Sequence, residues 1–187
     1  KSIEWQNKNT NYYTKKNLLS TLKSNLFPNS AEIPSSIQVV FTPHHYCHAC
    51  TAFFPSGFKD AAIITMDGHG EEDCTNLWIA ENDEIKHIKK WMIPDSMGWF
   101  YTKFTEWFGF RPHDGEGKLM GLAAYGSFDK DIALKVDRVC QLTGDDQVYK
   151  LNASFFFDKN IEGSNFCKEW IDLFGEAMPY EKEIKYS

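Results

Sequence analysis

Ile37-Gln38-Val39-Val40-Phe41-Thr42-Pro43-His44-His45-Tyr46-Cys47-His48-Ala49 is followed, nineteen residues after His48, by Asp67 in Ala61-Ala62-Ile63-Ile64-Thr65-Met66-Asp67-Gly68-His69-Gly70-Glu71. Each apolar run reads as a buried strand, one leading into a helix and the other into a glycine turn. Thr42 suits a helix N-cap and Pro43 the first helical position, where its missing N–H costs nothing. The reading predicts a strand over 37–42 and a helix over 43–54. On that helix His44 and His48 lie four residues apart and share a face, while His45 points elsewhere. Asp67, at a strand end, can add a carboxylate. Two histidines and one carboxylate with open positions suit Fe(II), with zinc the rival. Gly68 and Gly70 would let backbone N–H groups approach an anion.

Plainer readings compete. An Asp-Gly pair after a strand is most often only a turn. Cys47 and Cys50 form a C-x-x-C, which can be a redox pair or half of a zinc site. At roughly 100° per residue they fall on a different flank from His44 and His48, so one ion cannot easily take all four. Small apolar packing is the preferred reading of both thiols.

A second informative stretch is Asp114-Gly115-Glu116-Gly117-Lys118, read as a turn before a helix over 118–125. Gly115, Glu116, Gly117 and Lys118 bring backbone N–H groups, a helix N-terminus and an ammonium together, a combination that can hold a phosphate or acyl phosphate. The spacing is not that of a P-loop. A solvated charged loop is the alternative.

Working outward, Leu18, Leu19, Leu22 and Leu26 give a helical stripe in the polar N-terminal region. Strands are expected at 61–66, 75–81 and 84–91, the last two joined through Glu81-Asn82-Asp83-Glu84 as a hairpin. Helices are expected at 97–108, capped by Ser96 and carrying the aromatic face Phe100, Tyr101, Phe104, Trp107 and Phe108, and at 130–143 and 163–175. The organisation is a helical segment and loop over 1–36, an α/β domain over 37–178 and a connector over 179–187. At 187 residues and 42% apolar content the chain can bury a sizeable core. A net charge of -6 offers no basic stripe for nucleic acid, and no apolar run reaches the ~20 residues of a membrane span. Five cysteines without a framework fit a reducing, cytoplasmic setting. A first residue of Lys1 is expected of a chain processed or cut from something longer.

Taken together, His44-His45-x-x-His48-Ala49, Ala52-Phe53, Asp67-Gly68-x-Gly70-Glu71, Gly98-x-x-Tyr101, Gly109-Phe110 and Gly115-Glu116-Gly117-Lys118-x-Met120-Gly121-Leu122-Ala123-x-Tyr125-Gly126 resemble the nodulation-type carbamoyltransferase family, which includes the tobramycin O-carbamoyltransferase. The resemblance covers about residues 37 to 175. It implies an α/β, actin-like (ribonuclease-H-like) ATPase-type mixed sheet with flanking helices, here incomplete. It also implies His44, His48 and Asp67 as metal ligands and catalytic residues, with iron as the metal. Gly68, Gly70, Glu71 and the turn from Gly115 to Lys118 would lie on the side of the nucleotide, a carbamoyl-adenylate made from carbamoyl phosphate and ATP in a YrdC-like domain. The acceptor would be a hydroxyl of a small metabolite or sugar.

Three departures bear on activity. The family's opening glycine-containing hairpin, a later aspartate ligand and the YrdC-like domain have no counterpart here, so the chain alone is expected to be an inactive fragment. Two other functions compete: a zinc-dependent hydrolase with Glu71 as general base, and a non-catalytic nucleotide-binding module. The absence of a His-Glu-x-x-His pattern counts against the first.

Overall fold

Helix α1 (Lys15–Leu26) carries the predicted leucine stripe, with Leu19 half-buried and Leu18, Leu22 and Leu26 exposed. The computed structural model describes residues 15–29, 32, 33, 36, 38, 40–157 and 165–179, and the chain divides into two units between Phe41 and Thr42. Of the strand expected at 37–42, residues 38 and 40–42 form no ladder, and 37 and 39 lie outside the described residues.

The second unit begins with α2 (His44–Phe53), extended by a 3₁₀ turn at Phe54–Ser56. Strands β1 (Asp60–Met66), β2 (Asp73–Glu81) and β3 (Glu84–Met92) form an antiparallel sheet in the order β1-β2-β3. The protein is thus a mixed α/β structure, but the described strands pair only in antiparallel fashion. Ala61, Ile63 and Thr65 alternate along β1 toward the buried face. There Ile63 meets Ala49 and Phe53 of α2 and Trp78 and Ala80 of β2. On the other face Ile64 and Met66 are exposed.

The predicted hairpin is present. Asn82 and Asp83 both have positive φ, 51° and 64°, as a two-residue turn between right-twisted strands requires. Helix α3 (Met97–Trp107) starts where Ser96 Oγ accepts the Trp99 N–H at 3.1 Å. Phe100, Phe104 and Trp107 pack against a core of Val139, Phe155, Phe166, Trp170 and Leu173, whereas Tyr101 is exposed.

Helix α4 (Glu116–Ala123) starts two residues before the expected 118. Helix α5 (Lys130–Val139) is capped by Asp129, whose Oδ1 accepts from the N–H groups of Asp131 and Ile132. The helix expected to reach 143 stops there. Cys140 turns extended, and β4 (Cys140–Leu142) pairs with β5 (Tyr149–Leu151). Tyr149 secures this hairpin to the main sheet, its hydroxyl 3.0 Å from Thr75 Oγ1 and its ring stacked on Trp91. A short α6 (Ser154–Phe157) follows, then α7 (Lys168–Phe174). The start expected at 163 lies outside the described residues, and 165–167 are not helical.

The turn yields a test. A β-branched residue is strained at positive φ and glycine is not, so Asp83→Val should destabilise the protein by about 1–2 kcal/mol while Asp83→Gly should not. Urea unfolding of both variants measures the difference.

Candidate metal centre

Helix α2 begins one residue later than expected. Pro43, with ψ at 138°, is the N-cap, and neither it nor Thr42 caps with a side chain. The carboxylate comes instead from the β1–β2 loop, where Glu71 Oε1 accepts the His44 N–H at 3.3 Å. A negative group at a helix N-terminus is favourable there. Glu71 therefore serves the helix that carries the histidines.

The structure brings His44, His48 and Asp67 together. His44 Nε2 is 2.8 Å and His48 Nε2 3.2 Å from the same Asp67 Oδ2, and the two Nε2 atoms are 3.0 Å apart. Among the described residues this is the grouping of three or more His, Cys, Asp or Glu side chains able to hold a metal ion. Two neutral imidazoles can serve this triangle by donating both Nε2–H groups to Asp67 Oδ2. With the Nε2 protons removed, the same three atoms present three lone pairs to one point, the donor set of a divalent cation. The edges match one face of an octahedron with bonds of about 2.1 Å, where cis donors lie about 3.0 Å apart, better than a tetrahedron, where they lie about 3.4 Å apart. All three side chains are partly exposed, leaving room for further ligands.

Asp67 is held from several sides. Burial pushes its carboxyl pKa up, but hydrogen bonds from His44, the Gly68 N–H and His48 outweigh this and hold it below the ordinary range. Gly68 N–H donates to Asp67 Oδ1 at 2.6 Å, and Ser96 Oγ lies 2.6 Å from Gly68 O and 3.1 Å from Asp67 O. Ser96 thus caps α3 and ties down the turn behind the carboxylate. Gly98 lies so close that a Cβ there would sit 2.4 Å from the Asp67 carbonyl carbon and Gly68 N. Neither positioning role was legible in the sequence. Ser96 read only as a cap, and close approach to a distant turn leaves no local pattern.

The N–H groups of the turn's glycines have partners within the chain. Gly68 N–H is used by Asp67, and Gly70 N–H donates to Asp73 O at 2.7 Å. A Cβ on Gly70 would come within 3.0 Å of the His45 ring and 3.3 Å of His44 Cβ. Gly70 makes room for the histidines. Beyond the turn, His69 stacks on Trp99, which meets His113 edge-on.

Glu116, Gly117 and Lys118 form the first turn of α4 rather than a loop before it. Glu116 Oε1 accepts from Thr102 Oγ1 and the His113 N–H, both at 2.9 Å. Burial works against the ionised Glu116, yet these bonds hold its pKa below the usual 4.5. Gly115 is buried against Phe110 and Arg111, and Lys118 is exposed. Helix α3 links the two regions, its N-terminus on Asp67–Gly68 and its Thr102 on α4. As for the thiols, Cys47 is exposed and Cys50 half-buried, so apolar packing does not describe Cys47. Cys74 is buried, and that burial pushes its pKa up to about 11.

The profile of the carbamoyltransferase N-terminus matches residues 6–185. This chain belongs to the carbamoyltransferase family. The uncharacterized protein sll1178 of Synechocystis is 38% identical over 138 residues, 73% of this chain and 22% of that protein. Nodulation protein NolNO of Sinorhizobium fredii is 36% identical over 89 residues, 48% of this chain and 13% of its own length. Nodulation protein NolO of Bradyrhizobium diazoefficiens is 32% identical over 87 residues, 46% of this chain and 16% of that protein. The chain thus spans less than a quarter of each of these relatives. Among the described residues no helix is long and apolar enough to cross a membrane.

Two outcomes follow. Gly98→Ala should destabilise this carbamoyltransferase segment by about 1–3 kcal/mol through overpacking, whereas Gly121→Ala, whose Cβ meets nothing within 4 Å, should stabilise α4 by about 0.5–1 kcal/mol. Chemical denaturation of each variant decides this. Glu116 has a depressed folded pKa, so its stabilisation is complete above the ordinary 4.5 and is lost as pH falls through the lower folded value. In Glu116→Gln the fall of stability with acidification below pH 4.5 should be shallower, as unfolding at a series of pH values will show.

Proposed function

We propose that this chain is the metal-holding part of an O-carbamoyltransferase, which moves a carbamoyl group from carbamoyl-adenylate to a hydroxyl of a small metabolite or sugar. The observation that carries the reading is the convergence of His44, His48 and Asp67 on one point in a chain matched by the carbamoyltransferase family over 6–185. His44 and His48 would supply neutral nitrogen donors and Asp67 a hard anionic oxygen. The small triangle favours Fe(II) over tetrahedral zinc. When bound, the ion supplies Lewis-acid polarisation of carbamoyl and phosphate oxygens.

The chain's own residues have the remaining roles. Asp67, whose second oxygen accepts the Gly68 N–H, would bring a negative charge to the centre, and Glu71 steadies the helix end beside it. Lys118 and the first turn of α4, from Gly115 through Glu116 and Gly117, would face the nucleotide, with Gly68, Gly70 and Glu71 on the same side. There the ammonium and helix N-terminus favour a phosphate. Carbamoyl phosphate and ATP would be converted to the adenylate in a YrdC-like domain elsewhere in the full-length protein. We read the three-stranded sheet, with α2 on one face and Ile64 and Met66 bare on the other, as part of an actin-like domain completed by further chain. The hydrolase alternative is less well supported, because Glu71, its general base, accepts the His44 N–H.

The full-length protein, supplied with iron, carbamoyl phosphate, ATP and hydroxylated acceptors, should transfer labelled carbamoyl groups. His44→Ala should lower that transfer at least 100-fold and reduce bound iron in elemental analysis. Equal transfer and iron content in the variant would refute the proposal.

A further inference from the structure

The buried histidine between the two triad histidines has no part in the proposed reaction, yet it has the most complete set of partners. His45 is 1% exposed. Its Nε2 lies 3.2 Å from Asp73 O and its Nδ1 3.0 Å from Thr65 Oγ1. A carbonyl oxygen only accepts, so Nε2 carries the proton. Trp78 Nε1 only donates, and it reaches Thr65 Oγ1 at 3.2 Å, which leaves the hydroxyl proton for His45 Nδ1. Every polar atom in this chain of bonds has a defined direction.

We infer that His45 and Thr65 are positioning residues that set the roll of α2 so that His44 and His48 meet Asp67, an inference that rests on the metal reading above. Thr65 lies in β1 two residues before Asp67, which directly follows the strand's end with its N–H still bonded to Cys74 O at 2.9 Å, so the strand's alternation carries both side chains to one face. His45 follows His44 directly. The side-chain pairs His44–Asp67 and His45–Thr65 are therefore adjacent rungs between one helix and one strand. His48 adds a second contact to Asp67, His45 Nε2 bonds Asp73 O and Glu71 holds the His44 N–H, while the remaining packing of the helix, through Ala49, Phe53 and Ile63, is apolar and has no preferred direction. A roll of ~20° at a side-chain radius of ~5–6 Å carries the imidazole nitrogens about 2 Å. Metal–ligand distances tolerate about 0.2 Å. The His45–Thr65 bond, buried and side chain to side chain, supplies with the His45–Asp73 bond the directional restraint that the apolar contacts lack.

The test uses Co(II) alone as the probe, with Thr65→Val, which keeps shape and loses the hydroxyl, and Thr65→Ser, which restores it. In the full-length protein Thr65→Val should bind Co(II) at least 10-fold more weakly with an altered visible spectrum, and Thr65→Ser should recover both. Unchanged affinity and spectrum in Thr65→Val, or equal loss in Thr65→Ser, overturns the inference and leaves the metal reading standing. If the unmodified protein takes up no Co(II), the metal reading falls, and metal-free crystal structures judge the inference. The triangle of His44, His48 and Asp67 should open in Thr65→Val and stay closed in Thr65→Ser, and an unchanged triangle overturns it. Should Thr65→Val fail to fold, His45→Gln takes its place with the same readouts.

Discussion

A helix and a strand meet through side-chain pairs on consecutive helix residues and alternate strand residues, His44 with Asp67 and His45 with Thr65. The first pair is half-open to solvent and the second is buried. This division would let one short segment both pack and hold the proposed ion. An exposed triad alone would leave the helix free to roll, and a buried pair alone would offer no chemistry. The antiparallel sheet makes the arrangement possible, because its alternation puts Thr65 and Asp67 on the face that receives α2.

Behind the strand end, a second set of contacts fixes the carboxylate. Ser96 bonds the carbonyls of Asp67 and Gly68, and Gly98 allows the start of α3 to press against the same peptide. From there α3 runs to Thr102, which bonds Glu116 at the start of α4. The triad and the turn proposed to face a nucleotide are thus braced by one helix. The aromatic face of that helix anchors it in turn through Phe104 and Trp107, packed around Trp170 and Phe174. Packing far from the centre therefore bears on the placement of Asp67.

The sequence disclosed those features whose causes are local. Ser96 announced a helix start, Asn82-Asp83 a tight turn, and the runs over 61–66 and 75–81 two strands of the sheet. The i, i+4 spacing of His44 and His48 and the strand-end position of Asp67 were enough to foresee that they could meet. Features with distant causes were hidden. Thr42 has the chemistry of a cap, but the acceptor for the His44 N–H is Glu71, twenty-seven residues beyond His44 along the chain. Apolar spacing continues past Val139 and predicts helix to 143, whereas Cys140–Leu142 is a strand because it pairs with Tyr149–Leu151, a cause further along the chain. That Gly70 also makes room for His44 and His45 has a distant cause and left no local pattern. The family resemblance, carried by dispersed motifs, was confirmed by a match that spans nearly the whole chain.

The most direct measurement is anomalous diffraction at the iron edge from crystals of the full-length protein grown with Fe(II). The account predicts a peak within bonding distance of His44 Nε2, His48 Nε2 and Asp67 Oδ2. Iron bound only elsewhere, with these three atoms drawn apart, would contradict it.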